Sequence, residues 1–187
     1  MPTFNEVGNI KDLIIQSIES IKRCGVDSIE IIVVDDDSPD RTWEVASQIN
    51  SSDATIKIIR RQENPGLTNS LNEGIEQATK EVIVWLDCDF SHPPNKIPQL
   101  LFMLGQGYDV AVNSRYTIGA GEDREGKGGL MQLFLSRLLN WSIRFLLFPS
   151  FSDYTSGFVA VKRKVFDELK LDYENIHRKF KSTICTR

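Results

Sequence analysis

The sequence predicts an α/β domain with a mostly parallel central sheet flanked by helices. Three observations carry this. Apolar, β-branched runs alternate along the chain with segments of helical spacing. The runs over 29–34 and 82–86 are apolar almost throughout, as expected of strands covered on both faces. Polar clusters follow these runs, at the strand ends where open parallel sheets bind ligands.

Positions 10–21 set Ile10, Leu13, Ile14, Ser17, Ile18 and Ile21 on one helical face, with Glu6 and Asn9 as start signals and Gly25 as a stop. The strand over 29–34 ends in Asp35-Asp36-Asp37-Ser38-Pro39-Asp40, and a helix follows over 41–49. A short strand over 56–60 leads through Glu63-Asn64-Pro65-Gly66 to a helix over 67–78. The strand over 82–86 ends at Asp87-Cys88-Asp89, and Pro93-Pro94 breaks the chain before a helix over 97–105. Val110-Ala111-Val112 is a strand entering Asn113-Ser114-Arg115-Tyr116. Residues 118–129 form a Gly-rich, charged loop, a candidate lid. Residues 130–148 are strongly apolar, yet Arg137, Asn140 and Arg144 share one helical face, so the segment is amphipathic rather than spanning.

The 187 residues, 41% hydrophobic and 26% charged, are those of one ordinary globular domain with a core of its own. A net charge of −4 argues against a dedicated nucleic-acid binder but leaves room for a small phosphate-bearing ligand. Cys24, Cys88 and Cys185 match no zinc or redox spacing and suit a reducing compartment. No signal-peptide pattern opens the chain, and no long uncharged apolar run predicts a transmembrane helix. No strand precedes Pro2, and residues 172–187 are polar without clear periodicity. The expectation is a domain over 1–171 that lacks its first strand, and a truncated tail over 172–187.

Asp87 and Asp89, one residue apart at a strand end, can approach one hard cation, Mg²⁺ or Mn²⁺, which completes its shell with phosphate oxygens. The bland alternative is a solvated acidic turn. Asp35, Asp36 and Asp37 crowd three charges into one turn, which calls for a ligand, water or N–H groups; helix capping by Ser38 or Asp40 is the other reading. Arg115 is a fixed cation suited to bidentate phosphate binding, or a surface residue. His92 suits a metal, a phosphate or loop packing, and Cys88 suits packing. Asp153 fits a turn or an acceptor-side role.

Pro2-Thr3-Phe4-Asn5-Glu6, Val33 to Asp40, Asp87-Cys88-Asp89-Phe90-Ser91-His92-Pro93-Pro94, Ser114-Arg115-Tyr116 and Ser156-Gly157-Phe158 occur in that order. This series resembles the family 2 glycosyltransferases of the Rossmann-like GT-A fold, and among them the dolichol-phosphate mannose synthases and related polyprenyl-phosphate sugar transferases. The resemblance implies nucleotide contacts at Pro2, Phe4, Glu6, Val34, Asp35, Asp37, Asp87 and Cys88. It implies metal contacts at Asp87, Asp89 and Ser91, and catalytic roles for Asp89 and Arg115. Acceptor or phosphate contacts would fall to Ser136, Arg137, Arg144 and Asp153. Relatives often carry Gln at the place of Ser91; the shorter serine would reach a metal through water. Where relatives have an early arginine after the Gly-rich loop, Gln132 stands here.

The implied reaction moves a hexose, mannose, from a nucleotide diphosphate sugar, GDP-mannose, to dolichyl or polyprenyl phosphate with inversion. The implied place is the cytoplasmic face of a membrane, peripheral to it, with residues 130–148 in the interface or else as a core or subunit-contact helix. The alternatives are a polysaccharide or other hydroxyl acceptor, an inactive nucleotide-binding fragment, and an aspartyl phosphohydrolase.

Overall fold

The computed structural model describes residues 1–114 and 156–169. Strands β1 (Pro2–Thr3), β2 (Ile29–Asp35) and β3 (Ala54–Arg60) form a parallel sheet in the order β1-β2-β3. Helix α1 (Ile10–Lys22) connects β1 to β2, and α2 (Thr42–Ser47) connects β2 to β3. Helix α3 (Leu67–Gln77) leads to β4 (Val82–Trp85), which belongs to a second sheet of order β4-β6-β5. A 3-10 turn (Pro94–Lys96) and α4 (Ile97–Gly105) join β4 to β5 (Val110–Val112). Strand β6 (Val159–Lys162) is followed by α5 (Lys164–Leu169).

The α/β class expected from the sequence is the one observed. The expected single, mostly parallel sheet is divided: β1, β2 and β3 form the parallel sheet, and β4, β6 and β5 form a second, in which β6 lies between β4 and β5 and runs antiparallel to both. Alternation of apolar residues reports that a segment is a strand, while its direction depends on the connection that delivers it. The loop over 118–129, the segment over 130–148 and the tail over 172–187 lie outside the described residues, as do Arg115, Ser136, Arg137, Arg144 and Asp153.

Helix α1 forms where the sequence places it. Ile10, Leu13 and Ile14 are wholly buried, with Ser17 and Ile18 on the same stripe. The Glu6 carbonyl accepts the N–H groups of Asn9 and Ile10, both at 3.0 Å, which satisfies donors at the helix start. Gly25 ends the turn at φ +74°, and its N–H reaches the Lys22 carbonyl at 2.9 Å.

The core divides by strand alternation. Phe158 and Ala160 face α1, α4 and β2, while Val159 and Val161 face Leu71, Trp85 and Phe166 on the other side. Likewise Leu86 joins the first cluster and Ile83 the second. Among the described residues no helix is long and apolar enough to cross a membrane.

A cleft of about 890 Å³ runs between the two sheets, walled by Ile29 and Ile31 of β2, by Val82 and Val84 of β4, and by Ile97 and Leu101 of α4. Met1 lines it too. The Met1 ammonium donates to the Ile32 carbonyl at 2.8 Å, and its carbonyl accepts the Val34 N–H at 2.9 Å. The β1–β2 ladder therefore reaches Met1, at the wall of the cleft. Four β-branched residues placed ahead of Met1 are expected to continue that ladder and raise the melting temperature. Each kcal/mol gained corresponds to about 2–4 °C in a domain of this size. A Gly-Ser extension of equal length serves as the control, and an equal effect of the two would refute the pairing.

Candidate active site

The ends of β1 and β2 and the segment after β4 meet around a pocket of about 210 Å³. Strand β1 and its continuation supply Pro2, Thr3, Phe4 and Glu6; the segment after β4 supplies Asp87, Cys88 and Asp89. Asp36 from the acidic turn and Leu67 and Ser70 from α3 complete the lining. Phe4 and Leu67 are each 56% exposed, so the pocket carries apolar surface beside its carboxylates.

The three consecutive aspartates have three different surroundings. Asp35 is 0% exposed. Its carboxylate accepts the Thr3 hydroxyl at 2.9 Å, the Ser38 hydroxyl at 2.6 Å and the Ser38 N–H at 2.8 Å. Asp36 turns the other way and accepts the Gly66 N–H at 2.6 Å and the Ser70 hydroxyl at 2.7 Å. It also pairs with Arg61 at 2.7 Å; that guanidinium bonds Glu73 at 2.9 Å and donates to the Glu63 and Asn64 carbonyls. Asp37, at φ +54°, pairs with Arg60, whose guanidinium lies 4.2 Å above the Trp43 ring.

Asp36, rather than Asp35 or Asp37, is therefore the aspartate that lines the pocket. The nucleotide roles expected of Asp35 and Asp37 meet a buried anchor and an outward ion pair. Val34 is also buried behind the pocket, in register with Pro2. The sequence offered Asp36 only as one of three crowded aspartates, and it gave no site role to Thr3, Leu67 or Ser70. For Asp36 the alternation of an extended segment was the available signal; Leu67 and Ser70 are brought in only by the packing of α3.

The loop that carries Phe4 and Glu6 is braced by the acidic turn. The Asn5 N–H donates to the Ser38 hydroxyl at 3.0 Å, the Glu6 N–H to the Thr42 hydroxyl at 2.9 Å and the Val7 N–H to Asp40 at 3.1 Å. Asp40 also accepts the Thr42 N–H at 3.0 Å, although the residue directly ahead of α2 is Arg41, at φ +61° and without a side-chain cap of its own. Burial pushes the Asp40 carboxyl up, but the Thr42 hydroxyl and the Val7 and Thr42 N–H groups outweigh it and hold the group below its usual value. Its contribution to stability is present above the ordinary carboxylate pKa and is lost as pH falls through the lowered one.

In the second acidic segment Cys88 is buried, while Asp87 is half-buried and Asp89 exposed. Burial, and after it the negative charge of Glu6, push the Cys88 thiol up to about 12, against the opposing Met1 ammonium. Cys88 is thus a neutral packing thiol at the pocket floor. Asp89 accepts both the N–H and the hydroxyl of Ser91, at 2.9 and 2.6 Å, across Phe90 at φ +58°. Ser91 therefore braces Asp89. His92 is buried with its ring 5.5 Å from Phe158, which favours the loop-packing reading.

Asp87 and Asp89 are the residues that could hold a hard divalent cation. Both are oxygen donors at the pocket, and among the described residues no third His, Cys, Asp or Glu joins them in a metal cluster. An ion held there would leave positions for phosphate and water, as Mg²⁺ and Mn²⁺ usually do.

Residues 1–170 match the family model for glycosyl transferase family 2. The chain belongs to this family. It is 34% identical over 179 residues to a dolichol-phosphate mannosyltransferase of Pyrococcus furiosus, covering 92% of this chain and 47% of that protein. It is 31% identical over 175 residues to a polyprenol monophosphomannose synthase of Mycolicibacterium smegmatis, covering 91% of this chain and 63% of that one. This family 2 chain thus spans about half to under two-thirds of the length of these relatives. A solved structure of glucosyl-3-phosphoglycerate synthase from Mycobacterium tuberculosis, in complex with Mn²⁺, uridine diphosphate and phosphoglyceric acid, superposes with a TM-score of 0.61 at 26% identity. It covers 88% of this chain and 55% of that one. The GT-A fold implied by the sequence resemblance is the fold of this solved neighbour.

Two measurements separate the roles assigned above. Asp35→Ala leaves buried donors of Thr3 and Ser38 unpaired and is expected to cost about 2–4 kcal/mol by urea denaturation. Asp37→Ala, which removes a surface pair, should cost under about 1 kcal/mol; equal losses would contradict the division. In a Cys24→Ser/Cys185→Ser background, iodoacetamide at pH 8 should label Cys88 at least about 1000-fold more slowly than an exposed thiol. Rapid labelling of the native protein would refute the neutral, enclosed thiol.

Proposed function

We propose that this chain carries the donor site of a glycosyltransferase that moves mannose from GDP-mannose to a dolichyl or polyprenyl phosphate, with inversion. The observation that carries the reading is the meeting of Asp87 and Asp89 with Phe4, Asp36 and Leu67 around one pocket. The carboxylates suit a metal-bound diphosphate, and the exposed apolar side chains suit a flat base. The names of the two curated relatives support the mannosyl donor and the lipid-phosphate acceptor. The Mn²⁺ and uridine diphosphate bound by the solved neighbour support a divalent ion beside a nucleotide.

In this proposal Asp87 and Asp89 hold Mg²⁺ or Mn²⁺, with Ser91 fixing the orientation of Asp89. The ion supplies positive charge to the departing diphosphate. An oxygen of the acceptor phosphate attacks the anomeric carbon from the face opposite the diphosphate, forming one C–O bond as the other breaks. That oxygen is already anionic at neutral pH, so no side chain has to remove a proton. Arg115 is proposed to meet phosphate near the reacting carbon, with Ser136, Arg137, Arg144 and Asp153 on the acceptor side. Residues 130–148 are proposed to rest in the interface at the cytoplasmic face of a membrane.

The test is turnover of GDP-mannose with dolichyl phosphate in anionic vesicles and Mn²⁺, with vesicle cosedimentation recorded in parallel. EDTA should abolish turnover, and Asp87→Ala or Asp89→Ala should lower it by about 100-fold or more. Full activity of Asp89→Ala would refute the metal role, and absence of cosedimentation would refute the membrane placement. Turnover with 3-phosphoglycerate in place of the lipid would replace the acceptor with one like that named for the solved neighbour.

A further inference from the structure

The Ser156-Gly157-Phe158 motif has no part in the chemistry described so far. We infer that Gly157 is a positioning residue for Asp87: the missing side chain at 157 leaves the space in which the Asp87 carboxylate stands. A methyl group at position 157 would lie 3.1 Å from the carboxylate carbon of Asp87, 3.2 Å from Oδ1 and nearer still to Oδ2. Gly157 is not among the glycines at positive φ, so its need for glycine is one of space and not of backbone conformation.

The chain on either side of Gly157 is anchored, which opposes retreat of the backbone from an added methyl. The Ser156 hydroxyl donates to the Asn113 carbonyl at 2.6 Å and accepts the Phe158 N–H at 3.2 Å. The Phe158 carbonyl accepts the Asn113 N–H at 2.9 Å. The Phe158 side chain is fully buried and packs against the His92 ring. The motif thus fixes the end of β5 and the start of β6 around one residue, and that residue lies beside the Asp87 carboxylate. An added methyl would displace the movable partner, which is the carboxylate. The functional consequence rests on the metal role proposed for Asp87; the packing relation does not.

The experiment is a double-mutant cycle between Gly157→Ala and Asp87→Ala, read by Mn²⁺ titration at saturating GDP with electron paramagnetic resonance, and by thermal melting. Gly157→Ala should weaken Mn²⁺ binding by about 10–100-fold, as removal of an orienting contact does. In the Asp87→Ala background the same change should add no further loss of Mn²⁺ affinity. Any melting loss of the single variant should be recovered there, because the methyl then has room. Unchanged Mn²⁺ affinity in Gly157→Ala, or a melting loss that persists without the Asp87 carboxylate, would overturn the inference. If Gly157→Ala alone does not fold, folding of the double variant supports the inference and failure of both overturns it. Wild-type protein that binds no Mn²⁺ with GDP would sink the metal reading, and the melting cycle would still decide the packing.

Discussion

A single buried carboxylate organises the site. Asp35 ends β2 without exposed surface, and such a group is tolerated only when its oxygens are hydrogen-bonded. Its donors come from Thr3 on β1 and from Ser38 in the following turn. Satisfying Asp35 therefore forces those two segments together. Once Ser38 is placed, its hydroxyl accepts the Asn5 N–H, and Asp40 and Thr42 take the next N–H groups along. The course of residues 4–7, and with it the wall formed by Phe4 and Glu6, follows from that anchor.

The same rule acts in both acidic segments. An extended chain sends neighbouring side chains to opposite faces, so one residue of each cluster turns inward and the next faces the pocket. At the first cluster the inward residue is Asp35 and the pocket residue is Asp36. At the second, Cys88 packs inward between Asp87 and Asp89. The pocket-facing charges are held differently. Arg61, nearly buried, neutralises Asp36 and ties the loop before α3 to the end of β2. Asp89 is held by the local turn with Ser91, which keeps its carboxylate at the surface. One cluster thus shapes the wall, and the other presents charge.

Much of this architecture was legible in the sequence because it follows from short-range periodicity. The spacing of Ile10, Leu13, Ile14 and Ile18 requires a one-sided helix, and the β-branched runs ahead of Asp35 and Asp87 require buried strands that deliver acidic residues to one edge. The order of the motifs was enough to indicate a family 2 glycosyltransferase. Tertiary structure decided what depends on partners distant in the chain. It distinguished the surroundings of three adjacent aspartates, because Thr3 and Ser38 reach Asp35, Arg61, Gly66 and Ser70 reach Asp36, and Arg60 reaches Asp37. It set β6 antiparallel between β4 and β5, because strand direction belongs to the connection and not to the residues. It also brought Gly157 against Asp87, a contact across 70 residues of sequence that no local pattern encodes. Periodicity reports which face a residue occupies, while the identity of what it meets there is settled only when the elements pack.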